Sequence, residues 1–320
     1  MRAATNSIVT SSPRKLIFDC DPGVDDAVAL LLAFSSPELD LLGVTTVAGN
    51  VSAALTARNA CIVREIAGAT GVPVIAGCTK PLVREPVEAG HFHGVSGLGS
   101  LPVFTPQRGA EIGHAVEFLI ETLREAAPGE ITLVVTGPMT NVAAALQSQP
   151  GIAVAIREIV VMGGARSEGG NITASAEYNI YADPHAAKVV VESGCPLVMF
   201  GLDVTHQVRA TPARIAALRA LGSSRALAAA QLLQFSTDLP ENGPREQGAP
   251  LHDPCPIAWL LAPEAFEFRA CHIDIETQSK LTLGHTAVEF RPQPGRVMHA
   301  RWGVRADAAR VFALLEERLR

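Results

Sequence analysis

Charge is scarce in this chain. Asp, Glu, Lys and Arg make up only 18% of its 320 residues, and the net charge of -6 comes without any Lys/Arg cluster. A nucleic-acid surface needs such a cluster, so nucleic acid is excluded as a partner. Long apolar runs are also lacking: the longest early one is too short to span a bilayer, which excludes a membrane partner. The six cysteines, at 20, 61, 78, 195, 255 and 271, contain no CxxC pair. They read as small buried residues of a reducing compartment, and the expected location is cytoplasmic. Internal repeats, low-complexity tracts and linkers are missing. Residues 1–13 are polar and Ser/Thr-rich without the apolar core of a signal peptide, and read as a flexible tail. Residues 14–320 read as one domain, with 48% hydrophobic residues to fill a large core.

What the chain does have is alternation. Strand-like segments at 16–18, 39–47, 73–76, 131–136, 158–162 and 196–204 are interleaved with helical ones. The helices are expected at 52–67, 111–126, 142–147, 183–192, 213–220 and 224–237. Residues 79–110, rich in Gly, Pro and His, read as a long functional loop. Residues 268–291 suggest a strand pair, and 306–319 a closing amphipathic helix against which Trp302 should pack. Repeated βα units predict an α/β fold. Its sheet should be a mainly parallel, doubly wound, Rossmann-like one with helices on both faces.

The chemistry starts where the first strand ends. Asp19, Asp21, Asp25 and Asp26 fall within eight residues, around the turn Pro22-Gly23 and at the opening of a helix. Helix N-terminal amides favour negative charge, yet four crowded carboxylates repel and call for a cation. Their hard oxygens suit Ca²⁺ or Mg²⁺ rather than zinc. Other strand ends would bring Asn50, Thr136, Asn171, Glu177, Asn179, His252 and Asp253 to the same crevice. That set is rich in carboxylates and amides and poor in cations. It lacks the glycine nest with Lys, or the Arg cluster, that binds phosphate. Hydroxyl groups on a hard cation fit it better, so the substrate should be sugar-like and unphosphorylated.

Asp19-Cys-Asp-Pro-Gly-Val-Asp-Asp26 stands with Gly49-Asn50, Gly94-Val-Ser-Gly-Leu-Gly99 and Thr136-Gly-Pro-Met-Thr-Asn141. Met162-Gly-Gly164, Glu177-Tyr-Asn179 and His252-Asp253 follow in order. Together they resemble the inosine–uridine-preferring nucleoside hydrolases from about residue 15 to the C-terminus. The resemblance implies a calcium-dependent N-ribosyl hydrolase. Asp21, Asp26, Asp253 and the backbone carbonyl of Thr136 would bind Ca²⁺. Asp25 would be the base that takes a proton from a calcium-bound water. Asn50, Asn171, Glu177 and Asn179 would hold the ribose, with His93 and His252 toward the leaving base, where His252 would act as the acid. Homo-oligomers, dimers or tetramers, are usual in such a family.

Such a reaction makes sense of these residue types. Cleaving a ribosyl C–N bond passes through an oxocarbenium-like state that carboxylates and amide oxygens stabilise. Some purine-selective relatives carry tryptophan where this chain has His252, so the resemblance leans to pyrimidine or inosine–uridine substrates. Residues 239–251 lack aromatics, leaving Glu241, Asn242, Arg245 or Gln247 to face the base. Histidines 114, 185, 206, 272, 285 and 299 read as structural. Two other classes compete: a non-catalytic nucleoside or ribose binder, and a haloacid-dehalogenase-type phosphatase suggested by Asp19-x-Asp21. Pro22-Gly23 and the cation-poor crevice speak against the phosphatase.

Overall fold

The computed structural model describes residues 12–320. The N-terminal stretch expected as a tail therefore lies outside the described residues, apart from the exposed Ser12 and Pro13 that precede the first strand.

The strands are β1 (Arg14–Cys20), β2 (Leu39–Thr46), β3 (Val74–Ala76), β4 (Ile131–Val135), β5 (Ile156–Met162) and β6 (Leu197–Phe200). After them come β7 (Arg209–Ala210), β8 (Ala249–Pro250), β9 (Phe266–Ile275), β10 (Thr286–Glu289) and β11 (Ala300–Ala306). Nine of them form one sheet in the order β10-β9-β11-β6-β5-β4-β1-β2-β3, while β7 and β8 form a separate antiparallel pair. From β3 to β11 every neighbour is parallel, and β9 and β10 add an antiparallel margin. This is the expected doubly wound α/β fold. Chain order runs outward from β1 to β2 and β3 on one side, and from β4 to β5 and β6 on the other. The crevice for ligands is therefore the switch point between the carboxyl ends of β1 and β4.

β1 shows how sequence makes this sheet. From Leu16 to Cys20 it is buried on both faces, as a central parallel strand must be. Its period of two sends Leu16, Phe18 and Cys20 into one core layer, with the helices Val24–Phe34, Ser224–Thr237 and Pro254–Leu261. Ile17 enters the other layer, with the helices Ala115–Glu125, Thr140–Ser148 and Pro184–Val191. Each fully buried large apolar side chain contributes roughly 1.5–3 kcal/mol. Several helices open where the sequence marks them. Asp183 and Thr211 each accept an amide of the first turn, with Pro184 and Pro212 in the first helical position.

Four local expectations are corrected. The strand expected to reach residue 204 stops at Phe200, because Gly201 lies against Trp302; a Cβ there would sit 2.1 Å from the indole. Residues 202–205 form a helical turn instead. Trp302 is a fully buried residue of β11, seated by Gly164 and Gly201 rather than against the closing helix. The helix expected from residue 111 starts at Ala115, since Glu111 bridges to Ile75 and His114 caps the helix. The pair expected in 268–291 is present as β9 and β10, but β11, which joins it to the sheet, was not foreseen.

Candidate active site

The four acids of the first motif divide by task. Asp19, still inside β1, points away from the crevice. Its Oδ1 accepts from Thr45 Oγ1 at 2.5 Å and Asn141 Nδ2 at 2.8 Å, tying β1 to β2 and to the helix after β4. Burial pushes its carboxyl up to about 7. Asp21 follows the strand and is fully buried. Its Oδ2 accepts the Asn50 amide at 2.7 Å, and its Oδ1 is buried with no hydrogen-bond partner. Two glycines make room for this carboxylate: a Cβ on Gly49 would come within 2.0 Å of Oδ2, and one on Gly137 within 2.6 Å of Oδ1.

Asp26 is held on three sides, by Thr136 Oγ1 at 2.7 Å, Asn50 Nδ2 at 3.0 Å and the Gly23 amide at 3.1 Å. Burial, then the neighbouring Asp25, pushes it up to about 7. Asp253 arrives from the distant end of the chain, at the start of the helix Pro254–Leu261, and burial raises its proton affinity strongly. Among the described residues, Asp25, Asp26 and Asp253 bring carboxylate oxygens within 4.8 Å of one another. Asp21 lies outside that trio: Asn50 holds its Oδ2, while its Oδ1 stays unpartnered.

Asp25 and Asp253 face a cavity of about 520 Å³. Asp25, Asn50, His93 and Thr136 line it, with Asn171, Glu177, Asn179, His252 and Asp253. Asp21 and Asp26 stand behind that wall. The donor set fits a hard divalent cation. All its candidate ligands are oxygens, three carboxylates already converge, and the Asp21 Oδ1 lacks a partner that burial demands.

Amide orientation decides what the walls offer. Asn50 and Asn179 spend their Nδ2 on the protein. Asn179 donates to the Thr136 carbonyl at 2.7 Å and the Met162 carbonyl at 3.2 Å. Both therefore turn acceptor oxygens to the cavity. Asn171 does the reverse: its Oδ1 accepts from the Tyr178 amide at 2.9 Å, which leaves its N–H groups to donate. The Thr136 carbonyl keeps a second lone pair beside Asn179.

The family model for inosine-uridine preferring nucleoside hydrolase covers residues 16–313. The chain belongs to that family. It is 40% identical over 308 residues to an inosine-uridine preferring nucleoside hydrolase of Crithidia fasciculata, covering 96% of this chain and 98% of that one. It is 44% identical over 308 residues to the pyrimidine-specific ribonucleoside hydrolase RihA of Salmonella typhimurium, covering 95% and 97%. A solved purine-preferring ribonucleoside hydrolase from Gardnerella vaginalis superposes with a TM-score of 0.89 at 32% identity, covering 96% of this chain and 98% of that one. Like its family, the chain is a hydrolase acting on N-glycosyl compounds.

Within this nucleoside hydrolase fold, Glu177 and Asn179 both reach the cavity, from the cap and first turn of a helix, Tyr178–Ala182, that the sequence reading missed. The Glu177 carboxylate accepts from Asn179 at 2.9 Å, Gly164 at 2.9 Å and Ile180 at 3.2 Å. Those amides oppose the burial that raises its proton affinity. His93 accepts the Val24 amide at 3.0 Å and lies 4.0 Å from Asp25. His252 meets Thr205 Oγ1 at 2.8 Å, and burial pushes it down to about 4, so it rests neutral.

Four lining residues escaped the sequence reading. His206, taken as structural, reaches the cavity with its ring 5.7 Å from that of His252. Phe92 and Tyr178 supply the apolar wall that residues 239–251 lack. Arg209 brings a cation to a crevice that had read as cation-poor. Of the loop residues considered for the base, Glu241 and Asn242 line the cavity, while Arg245 and Gln247 do not.

Proposed function

We propose that this protein hydrolyses ribonucleosides to ribose and free base with the help of a bound Ca²⁺, its substrates being of the pyrimidine or inosine–uridine type. The observation that carries the reading is the approach of Asp25, Asp26 and Asp253 within 4.8 Å beside the cavity. Asp21, Asp26, Asp253 and the Thr136 carbonyl would hold the cation, with Asp25 at its margin. Bound there, Ca²⁺ supplies Lewis acidity to water and anchorage to a vicinal diol.

The residues then divide the work. Asn50 and Asn179 accept from ribose hydroxyls, Asn171 donates, and Glu177 is a preset acceptor. This ring of oxygens faces the positive charge that builds on the sugar as the C–N bond breaks. Asp25, with its side chain 20% exposed, takes the proton of the attacking water. His252 starts neutral, and the negative charge growing on the departing base draws a proton toward it. The base preference rests on His252 in place of tryptophan and on relatives such as the Crithidia and Salmonella enzymes. Six free cysteines suit a cytoplasmic setting, and a homo-oligomer is the expected assembly.

Reducing-sugar release from inosine, uridine, cytidine, adenosine and guanosine tests the reading, with and without chelation. Uridine and inosine should lead, and chelation should stop release. No release from any of them by folded, calcium-loaded protein would leave the binder as the better reading.

A further inference from the structure

Arg209 stands apart from every other charged group around the cavity. It belongs to β7, opposite Pro250 of β8, and the Leu251 amide reaches the Val208 carbonyl at 2.7 Å. That pairing carries the chain directly into His252 and Asp253, so Arg209 and His252 share one wall. Two of its N–H groups are spent: Nη2 donates to the Asn242 carbonyl at 2.9 Å and Nε to the Gln247 carbonyl at 3.3 Å. Among the described residues no carboxylate lies within 4.0 Å of it, although ion pairs are common elsewhere on the surface. The guanidinium has five donors. This one faces the cavity, forms no ion pair among the described residues, and has N–H groups to spare.

We propose that Arg209 is a leaving-group residue, a fixed cation that receives the negative charge of the departing nucleobase. The inference rests on the hydrolase reading above. In the reaction an O–C1′ bond forms from water as the C1′–N bond breaks, and the electron pair of the broken bond leaves with the base nitrogen. That charge spreads onto the ring carbonyl oxygens, or onto ring nitrogens in a purine. The proton taken from water finally returns to the base. Until it does, a desolvated anion needs a counter-charge. A guanidinium meets a flat carbonyl–nitrogen edge with two parallel N–H groups, which an ammonium cannot do. The carbonyls of Asn242 and Gln247 fix its plane, so little reorganisation is needed.

The competing role is structural, since the same two hydrogen bonds pin residues 240–247 over the cavity. The two roles separate by leaving group. Uridine needs its departing base stabilised, whereas p-nitrophenyl β-D-riboside releases an anion that leaves unaided. Arg209→Gln and Arg209→Lys should be compared with wild type on both substrates. Arg209→Gln should lose on the order of 100-fold in kcat/KM on uridine, mostly in kcat, and only a few-fold on the nitrophenyl riboside. Arg209→Lys keeps a point charge and should recover part of the uridine loss; it also carries the comparison should the Gln variant not fold. Equal losses on both substrates, or none on uridine, would overturn the proposal while leaving the hydrolase intact. Wild type that cleaves neither riboside would overturn the hydrolase reading itself, and this inference with it.

Discussion

Asn50 and Asp21 hold each other in two directions. The Asn50 backbone amide donates to Asp21 Oδ2 at 2.7 Å, and its side-chain Nδ2 donates to the Asp21 carbonyl at 3.1 Å. The same Nδ2 reaches Asp26 Oδ2 at 3.0 Å. One residue thereby spaces two buried carboxylates that would otherwise repel, Asp21 by its backbone amide and Asp26 by its side chain. Asn50→Ala should weaken Ca²⁺ binding about 10- to 100-fold, as removal of a group that orients metal ligands does. Calorimetric titration of chelator-treated protein checks this, and an unchanged Kd would remove Asn50 from cation support.

The base and the cation ligand separate by what each loses. Asp25→Asn should lower kcat by roughly 10²–10⁴-fold with Ca²⁺ binding largely kept, the usual loss for a general base. Asp21→Asn should first weaken the cation. Should Asp21→Asn bind Ca²⁺ normally yet be inactive, while Asp25→Asn mainly raises KM, the base role passes to Asp21.

The buried acids also set a pH dependence for the cation-free protein. Asp19 and Asp26 are each raised to about 7, chiefly by burial. Their unfolded values lie near 4. Between those limits the folded state binds more protons than the unfolded one, so stability falls as pH rises from about 4 to about 7. Chelated protein should therefore melt several degrees higher at about pH 5 than at about pH 7.5. Added Ca²⁺ favours the ionised forms and should reverse that order. Differential scanning calorimetry at the two pH values, with and without calcium, reads the sign directly. A chelated protein that melts higher at the alkaline value would contradict the burial argument.

Much of this was legible because the signals were local. The acids around Pro22-Gly23, the strand–helix alternation and the ends of β1 and β4 all follow from short windows of sequence. What stayed hidden depends on contacts across the chain. Nothing in the sequence marked Glu177 as a helix cap, a role it takes from the amides of Gly164, Asn179 and Ile180. Residues 197–204 are apolar enough for a long strand, and only Trp302, a hundred residues on, shows why it stops at Phe200. Arg209 carried no motif at all. A two-residue strand pair delivers it to the cavity, and nothing in its neighbourhood of sequence announces that pairing. Helix and strand periodicity also could not tell Asp21 from Asp25; glycines 49 and 137 and the Asn50 amide do that.

The grip on ribose leads to a substrate prediction. Asn50 and Asn179 have no spare N–H directed by the protein network and offer only oxygen, so each needs a hydroxyl donor. Removing the 2′-hydroxyl would leave a buried acceptor unpaired and would take one anchoring oxygen from a bound cation. A site built to bond a hydroxyl rejects the analogue lacking it by about 10⁴-fold or more. 2′-Deoxyuridine should therefore show a kcat/KM lower than uridine by a factor of that order, whereas loss of the 5′-hydroxyl should cost less, since it is no part of the vicinal diol. The comparison needs only three nucleosides and one assay of free base. Deoxyuridine cleaved within about tenfold of uridine would mean that the diol is not what these amides and carboxylates were arranged to hold.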